Sequence, residues 1–167
     1  TDEFQQVCSA IPEEDFFRQP HEKWSIAQNV KHLITSAKMT KLAYSLPKFI
    51  TRIYVGKPNR PSRSYDELVD KYKLKLRQGG KASGRFIPEK ISAANGKEKW
   101  VNDFSRSMNS LTTSIAKWND EQLDRYIAPH PLLGKITHRE LAYFTIYHIQ
   151  HHLAIIHQRL ADYNVVP

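Results

Sequence analysis

Apolar residues in this chain recur at three- and four-residue intervals over long stretches and seldom alternate. The clearest run is Trp100, Val101, Phe104, Met108, Leu111, Ile115 and Trp118, which predicts a helix over Lys97 to Trp118. A second stripe, Ile26, Val30, Leu33, Ala37 and Tyr44, predicts a helix from Trp24 to about Leu46. Ser25 and Gln28 have capping-box spacing at its start, and Pro47 stops it. Another begins at a second capping box, Thr137 with Glu140, where Ile136 and Leu141 fit a hydrophobic staple, and runs to about Asp162. Phe4, Val7 and Cys8 mark residues 1 to 10 as the tail of a helix whose earlier part is expected upstream.

The intervening stretches are polar or broken. Ile11 to Lys23, with Pro12 and Pro20, reads as a polar connector. Phe49 to Gly56 continues either as helix or as an irregular apolar segment, and residues 57 to 64 form a loop by composition. Ser64 and Glu67 can cap a short basic helix over Asp66 to Gln78, which Gly79 and Gly80 end. Residues 81 to 96 read as an exposed connection, Asp120 to Tyr126 as a turn or short helix, and Pro129 to Gly134 as a rigid loop. No strand pattern stands out. The expectation is an all-α chain, one domain over residues 1–167, with a long basic connection at about 48–99 between the second and third main helices. That connection is too long for a tight turn, so it drapes over the helices or forms a lid.

Composition narrows the function classes. A chain of 167 residues suits one core, and no apolar run reaches the roughly 20 residues of a membrane span. The net charge is +8, and residues 48 to 99 carry 14 Lys/Arg against 5 Asp/Glu, a local balance of +9. That segment reads as a solvated lysine-rich insertion, with polyanion binding as the alternative. No nucleic-acid motif accompanies it, so nucleic acid is not an expected partner, nor is a membrane. Cys8 is the single cysteine, which excludes an intramolecular disulfide and a Cys-rich zinc site. With no signal-peptide pattern, a cytoplasmic protein is expected. H-E-x-x-H, a Gly-rich phosphate loop and G-x-S-x-G are all absent.

The chemistry-bearing stretch is Phe144 to Ile155, which holds three of the eight histidines. On a helical wheel Leu141, Phe144, Thr145, His148, His152 and Ile155 share one stripe. His148 and His152, four apart, therefore face inward, while His151 flanks them and His157 points outward. Two inward imidazoles need partners for their ring nitrogens. A divalent metal is one solution, with zinc and nickel suited to neutral imidazole. A packed, hydrogen-bonded pair is the other. For a metal, His32 is the candidate third ligand, because it lies well inside another long helix. Its face carries Ser25, Gln28, Asn29, Ser36, Met39 and Ala43, small and polar neighbours that suit a cavity wall or a solvent-facing edge. No inward carboxylate stands beside the pair, because Glu140 is occupied at the cap.

Three pieces together resemble the DinB-like family of four-helix bundles. They are Trp24-Ser25-Ile26-Ala27 with His32-Leu33, then His130 to Thr137 (HPLLGKIT), then Tyr147 to His152 (YHIQHH). The resemblance spans nearly the whole chain in the family's order. It implies a bundle whose interior holds a divalent metal on His32, His148 and His152. It also implies one of several activities: metal-dependent hydrolysis, or S-transfer or isomerisation with a low-molecular-weight thiol; the alternative reading is a non-enzymatic metal- or ligand-binding stress-response bundle. A small-molecule substrate is expected, and a homodimer, because such bundles often pair. The first helix is shorter and the basic connection longer than the family pattern, so the substrate class does not carry over.

Overall fold

The computed structural model describes residues 1–163. These are mostly helical: α1 (Asp2–Ala10), α2 (Glu13–Phe17), α3 (Ile26–Ser45), α4 (Lys48–Tyr54), α5 (Tyr65–Arg77), α6 (Lys97–Ile115), α7 (Asp120–Arg125) and α8 (His138–Asp162). A two-stranded antiparallel ribbon, β1 (Ile127–His130) with β2 (Gly134–Thr137), precedes α8. Among the described residues, no helix is long and apolar enough to cross a membrane.

The predicted stripes become the core. Ile26, Val30, Leu33, Ala37 and Tyr44 of α3 are buried, as are Val101, Phe104, Met108 and Leu111 of α6. α3 packs on α6 along one side and on α8 along the other, and α1 lies on α6, where the Phe4 and Phe104 rings are 4.5 Å apart. Both strong start signals form as read. Gln28 N donates to Ser25 Oγ at 3.1 Å and Ser25 N to Gln28 Oε1 at 2.9 Å. At α8, Glu140 N donates to Thr137 Oγ1 at 3.2 Å and Thr137 N to Glu140 Oε2 at 2.9 Å.

α3 and α8 run antiparallel. Tyr44, near the end of α3, donates its hydroxyl to the carbonyl of His138 at the start of α8, at 2.6 Å. Asn29, near the start of α3, meets His152 in the second half of α8. This register sets which side chains of the two helices face one another.

Three expectations need correction. The stretch 11–23 is not only a polar connector: it contains α2 and sinks Ile11 and Phe16 into the core. A helix of five residues is too short to show a period. The loop expected at Pro129–Gly134 is the turn of a ribbon, so the described residues are not purely helical. Pro129 lacks an N–H, but a two-stranded ribbon leaves every strand with a free edge where that is tolerated. The basic connection is not simply a solvated insertion. α5 buries Leu68, Val69 and Tyr72 against α8, and Arg60 and Arg63 reach the carboxylate of Glu140.

Candidate metal centre

His32 stands on α3, and His148 and His152 stand one turn apart on α8. All three are buried. His148 Nε2 lies 3.1 Å from His32 Nε2 and 3.1 Å from His152 Nε2. One ring nitrogen from each residue falls within 4.8 Å of the others. The inward pair read from the wheel and the histidine on the other helix thus converge on one point.

Their tautomers follow from their outer partners. His32 Nδ1 is 2.7 Å from the carbonyl oxygen of Phe86, which can only accept, so Nδ1 carries the proton. His152 Nδ1 is 2.7 Å from Asn29 Oδ1. The Asn29 amide is oriented by its own Nδ2, which donates to Ser25 O at 2.8 Å, so here too Nδ1 donates. Both histidines therefore present Nε2 lone pairs to the centre. A hydrogen bond there needs a proton, and only His148 Nε2 can carry one, facing two acceptors. A cation satisfies all three nitrogens together. Two nitrogens about 2.05 Å from a tetrahedral zinc stand about 3.3 Å apart, close to the separations found. The donor set therefore fits a divalent ion that accepts imidazole.

Burial lowers the pKa of all three imidazoles. Neighbouring histidines add to this for His148 and His152, and the Phe86 carbonyl partly offsets it for His32. All three are neutral at pH 7, the form that ligates metal.

The centre opens onto a cavity of about 720 Å³, a size suited to a small molecule. Asn29, His32, Ser36, Met39 and Ala43, five residues of the small and polar face of α3, line it. Trp24 covers one flank, stacked with its ring 6.5 Å from that of His152. Tyr72 of α5 and Phe86 of the connection close another side. Among the described residues, no Asp or Glu lines the cavity.

The remaining histidines have other surroundings. His151 is half-buried at the cavity edge, 5.2 Å ring to ring from His152, and His157 is exposed. His130 also lines the cavity, but its Nδ1 accepts from the backbone N–H groups of Leu132 and Leu133 and so holds the ribbon turn. Glu140 is fully buried two turns before His148. Its carboxylate takes a bidentate pair from Arg60 at 2.7 and 2.9 Å, and Oε1 also accepts from Arg63 Nη1 at 3.1 Å. Cys8 is buried, and burial pushes its thiol up to about 12, so it is no nucleophile at neutral pH.

Sequence reasoning missed Asn29 as the partner of His152, the Phe86 carbonyl as the partner of His32, and Tyr72 and Arg159 as lining residues. Asn29 does lie three residues before His32 on the same helix, which is the one local signal available.

No curated protein gives a match to the chain. A family model described as the DinB superfamily matches residues 1–156, which include all three histidines, and the chain belongs to that superfamily.

Proposed function

We propose that this protein is a divalent-metal-dependent enzyme on a four-helix bundle of α1, α3, α6 and α8, acting on a small molecule with a low-molecular-weight thiol. The convergence of three buried Nε2 atoms from His32, His148 and His152 carries the proposal. A bound zinc or nickel ion would supply Lewis-acid activation of a thiol or of water. The protein's own part is orientation and exclusion. Phe86 O and Asn29 lock His32 and His152 in the ligating tautomer. Trp24, Tyr72 and Phe144 wall the cavity with aromatic surface.

Thiol transfer is favoured over hydrolysis by the composition of the wall. Water is a weak acid and its attack is usually assisted by a positioned base, most often a histidine or a carboxylate. Among the described residues no carboxylate lines the cavity, Glu140 is held by two arginines, and His151 at the cavity edge is the one histidine outside the ligand set and the ribbon turn that could serve. A thiol loses its proton far more easily and needs less assistance. A low-molecular-weight thiol as co-substrate is compatible with the reducing cytoplasm expected from the sequence.

The test is elemental analysis of untagged protein, with turnover assays on small electrophiles with and without added thiol. One ion per chain is expected in the native protein and none in His148→Ala. Native protein that neither contains nor takes up stoichiometric zinc or nickel overturns the proposal. Stoichiometric metal with no thiol- or metal-dependent turnover supports instead a non-enzymatic metal-binding bundle.

A further inference from the structure

The cavity has a direction. Because α3 and α8 are antiparallel, it runs from the start of α3 and the end of α8, past the histidines, to the end of α3 and the start of α8. At the first end its wall includes Lys23 and Arg159. At the other end the inner wall is apolar, with Ala43, Leu46, Ala128, Pro131, Leu132 and Leu141, while the exposed Lys81 and Arg85 of the connection also line it, Arg85 Nη1 lying 3.5 Å from Met39 Sδ. The histidines lie between.

Arg159 is the unusual member. It is 8% exposed, and its Nε is buried with no hydrogen-bond partner among the described residues. Its described ion pair is with Asp162, at 3.3 Å, on a side chain that is itself about half exposed. A buried guanidinium is normally met by a fork of acceptors, and an unmet one is costly. Arg159 follows His152 by seven residues, two turns along the same face, or about 10 Å of helix axis.

We infer that the cavity takes an elongated amphiphilic anion. Its carboxylate is held by Arg159 with Lys23 at the rim, its middle passes the three histidines, and its apolar body lies against Leu46, Leu132 and Leu141. This deepens the proposed function by naming the substrate class. It rests on that reading only for which atom of the ligand reacts. Among the described residues no carboxylate lines the path, so none of them repels an anion there.

Decanoate, with decan-1-ol as its neutral counterpart, is the probe. Binding to metal-free protein is followed by calorimetry and by the fluorescence of Trp24, which lines the cavity. Decanoate should bind about ten-fold or more tighter than the alcohol, since a charge-assisted pair is lost with the alcohol. Arg159→Met should remove most of that preference and leave the affinity for decan-1-ol and the zinc stoichiometry unchanged. Arg159→Lys should restore part of it. Equal binding of acid and alcohol to the wild type, or an undiminished preference in Arg159→Met, overturns the inference. A carboxylate preference in protein that fails to take up zinc removes the metal reading and keeps this one.

Discussion

Asn29 shows how much one side chain outside the ligand set decides. It accepts from His152 Nδ1 and is itself anchored on Ser25 O. Asn29→Ala leaves a buried N–H unmet and frees the ring to turn. We expect zinc affinity to fall about 10- to 100-fold, as measured by competition with a chelating dye. An unchanged affinity would show that Asn29 does not orient the ligand. His138 poses the opposite case: it is fully buried among Tyr44, Trp118 and Tyr126, and neither ring nitrogen has a hydrogen-bond partner among the described residues. Burial lowers its pKa to about 4, and that of His130 likewise to about 4. The folded state therefore binds fewer protons than the unfolded chain. Stability is fully present above the unfolded value of about 6.5 and falls as pH drops from there towards 4. Each residue contributes at most roughly 3 kcal/mol to that loss. His138→Phe should therefore narrow the gap in Tm between pH 7.5 and pH 5, and an equal gap in the variant would refute the assignment. Among single residues, His148 and His152 are legible in the sequence because one helix carries both and its period is regular. The pairing of Asn29 with His152 is not legible, since it depends on the register between two helices and joins residues 123 apart in the chain.

Helices α3, α5 and α8 announce themselves because each begins with a reciprocal cap whose two side chains are three residues apart. Such signals are local, and local signals survive in any tertiary context. The ribbon is silent for the converse reason: four-residue strands offer two side chains to each face, and Pro129 argues against a strand. α2 is silent because five residues do not complete two turns. The caps also differ in what they support. Ser64 at α5 is exposed, and its loss should cost about 1 kcal/mol. Glu140 at α8 is both a cap and the acceptor for Arg60, Arg63 and the Arg63 backbone N–H. It ties the start of α8 to the loop that leads into α5. Removing it leaves two partly buried guanidinium groups unmet, so Glu140→Ala should cost about 3 kcal/mol or more in urea unfolding at pH 7. Comparable losses for Ser64→Ala and Glu140→Ala would mean that the arginines find other acceptors and that the clamp is only a cap.

For the whole molecule, the centre is a meeting of segments remote in sequence: the start of α3, the second half of α8, and the loop carrying Phe86. The full set of three ligating nitrogens comes together only when α3 and α8 pack antiparallel, and the local cluster of His148, His151 and His152 leaves an unfolded chain a weaker site. The ion should therefore bind the folded state and stabilise it by mass action. At a free zinc concentration about 100 times the dissociation constant, the gain is about 2.7 kcal/mol. For a chain of this length that corresponds to a rise in Tm of roughly 5–10 °C. His148→Ala removes the nitrogen that lies 3.1 Å from both others, so zinc should leave its Tm nearly unchanged. The metal-free variant is not expected to be much less stable than metal-free wild type, because the wild-type centre then holds two lone pairs facing a single N–H. Thermal scans of both proteins, with zinc and with chelator, separate the two terms. If zinc raises the Tm of His148→Ala as much as that of the wild type, the stabilising site lies elsewhere on the surface, and the three histidines are a packed cluster of the core.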